Sequence, residues 1–240
     1  MVVTQAQKDF FSENGYLPWG PILDEADVQA LRAEYDEVFR RAEAEGGSRN
    51  LSGDGKQRML QIMQVCERSM AFRRLLYDGR FLDIVQDLMG PSIMLFHDQA
   101  LFKPARTGGA VYWHQDNAYW ACTPASLVSC WLTLDDVVKE NGAMQVMPGS
   151  HRRAVQHETA KTTTSLLEIE GMDPARAVTV ELPAGGCMFH HCQTLHYTQP
   201  NTTERDRRAF IMHYMAPGTR DSKGEVMRVS FSRPLLRFVM

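Results

Sequence analysis

The chain reads as an α+β domain: a helical opening over about residues 1–90, then a strand-rich body over about 91–215 folded as a sandwich or barrel. Two observations predict this. Before residue 91 apolar residues recur at helical spacing, as in Val28, Leu31, Tyr35, Val38 and Phe39. After Gly90-Pro91 the pattern changes to short extended runs separated by Gly-, Pro- or Asn-rich turns. Helices that gather ahead of the strands indicate segregated layers.

Residues 4–14 predict a short helix that stops at Gly15, followed by the extended piece YLPWGPIL. Asp24 is a helix N-cap residue with acidic groups in the turn after it, so 25–44 reads as an amphipathic helix ended by Gly46-Gly47. The stretch GGSRNLSGDGKQ (46–57), most of the segment 47–62, has a composition that predicts a surface loop or a lid over a site. A strand is expected over 59–65 and helices over 67–77 and 79–89, the last stopped by Gly90-Pro91. Strands are expected over 92–103, 110–116, 127–137, 143–149, 177–182, 186–191 and 207–216. The stretch 151–176 is polar and irregular, an insertion placed to edge a site. No internal repeat or low-complexity tract interrupts the chain, and 240 residues can bury one full core, so residues 1–240 are expected to form a single domain.

Composition excludes several classes. Hydrophobic residues make up 44% and charged residues 23%, as in ordinary soluble proteins. A net charge of −3 gives no electrostatic case for nucleic acid or an anionic membrane. No apolar run approaches the roughly 20 residues of a spanning helix. The opening MVVTQAQKDFF lacks the apolar core of a signal peptide, so a cytoplasmic location is expected. Five cysteines, an odd number with no C-x-x-C spacing, read as reduced thiols and not as disulfides or a zinc knuckle.

The chemistry gathers at Tyr112–Trp120, YWHQDNAYW. If this segment is extended, His114 and Asp116 at i and i+2 share a face and project together into one cavity. That is two-thirds of the 2-His-1-carboxylate triad, which leaves coordination positions open and suits non-haem Fe(II) oxygenases. A third ligand must come from downstream. Among eight histidines, context favours His196, which follows a turn-like segment and lies eleven residues before Arg207. Taken alone, Trp113, Tyr119 and Trp120 read as aromatic packing.

Four blocks, WHQDNAYW at 113–120, ENGAMQVMPGSHR at 140–152, HCQTLHYTQPN at 191–201 and the arginine pair at 207–208, resemble in order and spacing the phytanoyl-CoA dioxygenase family of Fe(II)- and 2-oxoglutarate-dependent oxygenases. The resemblance implies a double-stranded β-helix (jelly-roll) barrel with N-terminal helices packed on its outside. It implies His114, Asp116 and His196 as Fe(II) ligands, with His191 a neighbour. Arg207 matches the arginine that pairs with the far carboxylate of 2-oxoglutarate; Arg208 is the alternative, since adjacent strand residues face opposite ways. Lys103, Trp131, Gln99 and Thr133 resemble positions around the co-substrate, and Trp120 and Tyr119 positions near the substrate. An arginine fork also matches a carboxylate in a bidentate way that lysine cannot.

The implied reaction uses O2 and 2-oxoglutarate, releases succinate and CO2, and hydroxylates a small-molecule substrate. Relatives that halogenate carry a small residue where Asp116 stands, so its carboxylate implies hydroxylation. The family's small residue after the distal histidine is Tyr197 here, which either narrows the pocket or points away. Two other functions fit parts of the sequence. A zinc hydrolase on the same barrel has no use for Arg207 or a keto acid. A non-catalytic small-molecule binder has no need of intact ligands and an intact arginine. The chain shows no basic cluster suited to a coenzyme A phosphate, and a small polar or scaffold-type metabolite is the expected substrate.

Overall fold

Thr4 starts the first helix, α1 (Gln5–Asn14), through a capping box with Gln7. Gly15 ends it at φ 81, a left-handed conformation that favours glycine, and a Cβ there would collide with His151 and Thr194. Asp24 caps α2 (Glu25–Ala44) by accepting a hydrogen bond from Asp27 N–H at 2.8 Å. The structure, a computed structural model, describes residues 2–52, 56–161, 166–169 and 173–238.

Two antiparallel sheets form a jelly roll. The larger runs, in spatial order, β1 (Tyr16–Pro21), β11 (Gly186–His191), β6 (Val128–Thr133), β13 (Arg207–Met215), β4 (Ile93–Lys103), β3 (Leu60–Met63) and β2 (Arg49–Asn50), with β14 (Leu235–Arg237) also paired to β4. The smaller runs β10 (Val178–Val180), β7 (Met144–Val146), β12 (His196–Thr198) and β5 (Val111–His114). A ribbon of β8 (Glu158–Thr159) and β9 (Leu167–Glu168) pairs with neither sheet and packs beside β5. The remaining helices are α3 (Val65–Arg68), α4 (Met70–Leu75), α5 (Gly79–Met89) and α6 (Asp116–Trp120).

Period-two alternation divides the large sheet into two faces. On β13, Phe210, Met212 and Tyr214 join the main apolar core under the helices, whereas Ala209 and Ile211 pack in the core between the sheets. The buried face of α2 (Val28, Leu31, Tyr35, Val38, Phe39, Ala42) covers the outer side. Tyr35 stacks on Phe39 and donates a hydrogen bond to Ala209 O at 3.3 Å, which ties the helix to β13. The inner face carries both the apolar core between the sheets and a group of polar side chains.

Several elements differ from the sequence reading. The short strand β2 was not expected; it joins the large sheet beside β3, whereas the extended piece at 16–23 and the strand expected over 59–65 form β1 and β3 as read. The helix expected over 67–77 is two, because Ser69 is extended (φ −140, ψ 124) and caps α4 instead of continuing α3. The strand expected over 110–116 stops at His114, and Asp116 opens the one-turn helix α6. Strand β12, with only three residues between turns, carries too little alternation to read. The loop-or-lid segment 47–62 supplies β2 and part of β3, and 151–176 supplies β8 and β9; residues 53–55, 162–165 and 170–172 of these lie outside the described residues.

Candidate metal centre and its cavities

His114, the last residue of β5, pairs in register with His196, the first of β12, so two imidazoles leave neighbouring strands side by side, with ring centres 4.1 Å apart. Gln115 stays extended (φ −107, ψ 133) before α6 begins, so Asp116 turns back towards both rings. Its Oδ1 lies 3.6 Å from His114 Nε2 and 3.6 Å from His196 Nε2. His114 Nδ1 faces Tyr112 O at 2.7 Å and His196 Nδ1 faces Thr194 O at 2.9 Å. A carbonyl only accepts, so each Nδ1 carries a proton, and in the neutral ring each Nε2 then keeps its lone pair. Burial pushes His196 down to about 3, which keeps it neutral. Burial alone would raise the Asp116 carboxyl, and His196, His114 and His190 lower it well below the usual range whenever they carry the extra proton, so the carboxylate stays ionised. One ligand atom from each of the three lies within 4.8 Å of the others. Two neutral imidazoles and a carboxylate on one side fit a divalent ion with open positions.

The other carboxylate oxygen is held from behind. Asp116 Oδ2 accepts from Ser129 Oγ at 3.1 Å and contacts His190 Nε2 at 3.1 Å. Ser129 has one proton and gives it to the carboxylate, so His213 Nδ1, 2.7 Å from the same Oγ, is a donor. Burial holds His213 neutral, well below its ordinary pKa, so its Nε2 accepts from Gln99 Nε2 at 3.0 Å. Gln99 Oε1 then accepts from Gln61 Nε2 at 2.6 Å. One chain of hydrogen bonds thus points from Gln61 to Asp116. Sequence reasoning missed His190, Ser129 and His213. The pairing His190↔Ser129↔His213 across β11, β6 and β13 is the signal that gathers them.

Arg207 enters the same cavity from β13. It is 1% exposed and lines the space with His114, Asp116, His196, Trp131 and Thr198. One guanidinium nitrogen donates to Leu101 O at 3.3 Å, and Nε is buried without a partner, as is Thr198 Oγ1. Among the described residues no carboxylate forms an ion pair with Arg207, and burial pulls its pKa down to about 10. Arg208 points the other way, to Asp36, Asp135 and Asp206. A buried, unpaired cation with an orphaned N–H suits an anionic group in the cavity.

The other expected residues divide. Trp131 lies in the inner cavity, its ring 5.8 Å from the Arg207 guanidinium carbon, and Gln99 lines it too. Lys103 and Thr133 do not line it. Lys103 is fully buried and donates to Thr198 O at 3.1 Å and Gln199 O at 2.5 Å, clamping β4 to the chain after β12. Thr133 Oγ1 donates to Gly186 O at 3.2 Å and serves the β6–β11 junction. Trp120 and Tyr119 line a second chamber adjoining the metal side chains. Tyr197 stacks on Trp113 with ring centres 5.5 Å apart and lines neither cavity, so it points away. His191 packs on His151 outside both cavities; its neighbour His190 touches Asp116.

The sequence pattern of the phytanoyl-CoA dioxygenase family matches residues 11–209, most of the chain, including His114, Asp116, His196 and Arg207. The chain belongs to the phytanoyl-CoA dioxygenase family. Its class is that of the Fe(II)- and 2-oxoglutarate-dependent oxygenases. A probable alpha-ketoglutarate-dependent hypophosphite dioxygenase of Stutzerimonas stutzeri is 31% identical over 153 residues, covering 61% of this chain and 53% of that protein. The peroxisomal phytanoyl-CoA dioxygenase of Homo sapiens is 25% identical over 232 residues, covering 89% of this chain and 68% of its own. In fold, the chain matches the alpha ketoglutarate dependent carbocyclase SnoK from nogalamycin biosynthesis at a TM-score of 0.82, with 24% identity over 98% of this chain and 97% of that one.

Proposed function

We propose that this family member hydroxylates a small-molecule metabolite, with Fe(II) on His114, Asp116 and His196 and 2-oxoglutarate anchored by Arg207. The observation that carries the reading is the placement of Arg207, a buried cation without a carboxylate, in one cavity with a His-Asp-His cluster. When bound, iron and 2-oxoglutarate supply the oxidising chemistry, with O2 consumed and succinate and CO2 released.

The protein's own residues position and exclude. The two Nδ1–H···O=C bonds lock the imidazoles in the tautomer that offers Nε2. Ser129 and His190 hold Asp116 Oδ2, which leaves Oδ1 for the metal. Arg207 and Thr198 offer donors to the far carboxylate of the keto acid, and Trp131, Ile211 and Met144 keep water from that end. No helix among the described residues is long and apolar enough to cross a membrane. The five cysteines are all unpaired and buried, which supports the cytoplasm as the working compartment.

Anaerobic titration with Fe(II) and then 2-oxoglutarate tests the assignment. A weak visible charge-transfer band should form in the parent protein and be lost in Asp116→Ala. Tight zinc binding with no band would bring the hydrolase reading forward, since that chemistry gives Arg207 no task.

A further inference from the structure

The chamber beside the centre has a cavity volume of about 270 Å³, at the small end of ligand pockets (about 300–1,000 Å³), and shares His114 and Asp116 with the inner cavity. Its polar groups are unevenly sorted. Gln61 and Gln99 each use one amide N–H in the chain towards Asp116 and keep the second. His97 packs its ring against Phe96, Trp120 and His213, and neither of its nitrogens has a hydrogen bond. Nδ1 is sealed from solvent, whereas Nε2 is not among the sealed atoms, so Nε2 is the nitrogen open to the chamber. A sealed lone pair is cheaper than a sealed N–H, which places the proton of the neutral ring on Nε2. Burial keeps that ring neutral, its pKa pushed down to about 4.

At the rim stands Arg49 on β2, exposed and without an ion pair among the described residues. The chamber therefore presents the Arg49 guanidinium, His97 Nε2–H and the second N–H groups of Gln61 and Gln99. Against these donors the acceptors are few: Gln61 Oε1 and Tyr119 Oη, the latter already accepting from Leu167 N–H, while Asp116 Oδ2 is taken by Ser129 and His190 and Oδ1 faces the ligand imidazoles. Apart from Tyr119, the remaining wall is apolar and includes Leu51, Val111, Trp120 and Leu166. Donor excess on one side and an apolar wall on the other select an oxygen-rich anion with a carbon skeleton.

We propose that this chamber is the primary-substrate site and selects a small organic acid, its carboxylate on Arg49, a second oxygen on His97 and its skeleton against Trp120. The inference rests on the oxygenase reading for the chemistry that follows, while the selection itself rests on the donor count. Substrates whose anionic and oxygen groups are masked leave the N–H groups of His97 and the glutamines unpaired, and lose affinity.

The test uses the Fe(II)·2-oxoglutarate holoenzyme and a panel of aliphatic and aromatic hydroxy-, keto- and amino-carboxylic acids, each beside its methyl ester. Succinate release above the substrate-free rate is the readout. At least one acid should exceed its ester by about tenfold or more in kcat/KM. Arg49→Gln should remove that preference by raising the acid's KM and leaving the ester's unchanged. His97→Phe should raise KM for the same acid, and His97→Gln, which keeps an N–H donor, should restore most of it. Equal turnover of acids and esters, no response to any acid, or an acid preference that survives Arg49→Gln overturns the proposal. The charge-transfer band of the parent protein reports separately on the oxygenase reading. If it fails to form, calorimetric binding of the same acids and esters to the iron-free protein decides the selection by the same criteria.

Discussion

Asp116 gives its two oxygens separate duties, and that division is enforced by residues outside the ligand set. Oδ1 faces both ligand imidazoles, while Oδ2 is taken by Ser129 and His190. Removing the Ser129 hydroxyl frees the carboxylate to rotate without touching any ligand atom. Ser129→Ala should therefore weaken Fe(II) binding by about 10–100-fold, the usual effect of losing such a support. The charge-transfer band should return at saturating iron, as it should not in Asp116→Ala. An iron titration with parent-like affinity for Ser129→Ala would count against the support role. His114 and Asp116 were legible because H-x-D is compact and its chemistry is specific. Ser129 and His190 were not: in VSCWLT and GCMFHH they are ordinary strand letters. Only the register that sets His190 opposite Ser129, and Ser129 opposite His213, gives them a task.

Strand β13 shows what a single element can decide. Its alternation turns Arg207 into the cavity and Arg208 out to α2, where Asp36 accepts from it at 2.7 Å. The adjacent pair was visible in the sequence with its opposite facings, but which arginine faced inward needed the strand's neighbours on both sides. Arg207→Ala should raise the KM for 2-oxoglutarate by about 30-fold or more, since truncating one side of a buried charge pair costs roughly 2–5 kcal/mol. Arg208→Ala should leave that KM unchanged and lower stability by about 1–2 kcal/mol, since its ion pairs are part-buried at Asp135 and open to solvent at Asp36. Co-substrate titrations and urea midpoints on both variants separate the two roles; a shared KM defect would mean the facing is wrong. Long elements such as α2 and β4 were readable because their periodicity repeats. Strand β12 and helix α6, three and five residues long, were not, although they carry His196 and Asp116. Lys103 is placed near the co-substrate by the family resemblance alone; that its ammonium serves two backbone carbonyls is not visible in the sequence.

Across the whole molecule, gathering so many histidines in one barrel makes stability depend on pH. Burial lowers His97 to about 4 and, with His151 and His190 nearby, lowers His191 to about 4. His191 Nδ1 accepts from Gln193 N–H, a bond that needs the ring unprotonated there. The unfolded chain, with histidines at ordinary values, takes up these protons first as pH falls. Their contribution is thus complete above about pH 6.5 and is lost as pH drops towards about 4. Asp98 acts in the opposite sense. Burial raises it to about 6, so the folded protein protonates it before the unfolded chain does, and stability rises as pH falls through the same window. At about 1.4 kcal/mol per pH unit, two histidines shifted by some 2.5 units each outweigh one aspartate shifted by about 2. The metal-free protein should lose a few kcal/mol between pH 6.5 and 4, a large share of the roughly 5–15 kcal/mol that holds a domain together. Urea unfolding of the metal-free protein at a series of pH values measures this directly. The midpoint should fall steadily below pH 6.5, and His191→Gln should make that fall shallower. A midpoint that rises on acidification would mean that the carboxyl groups, not the histidines, govern the balance.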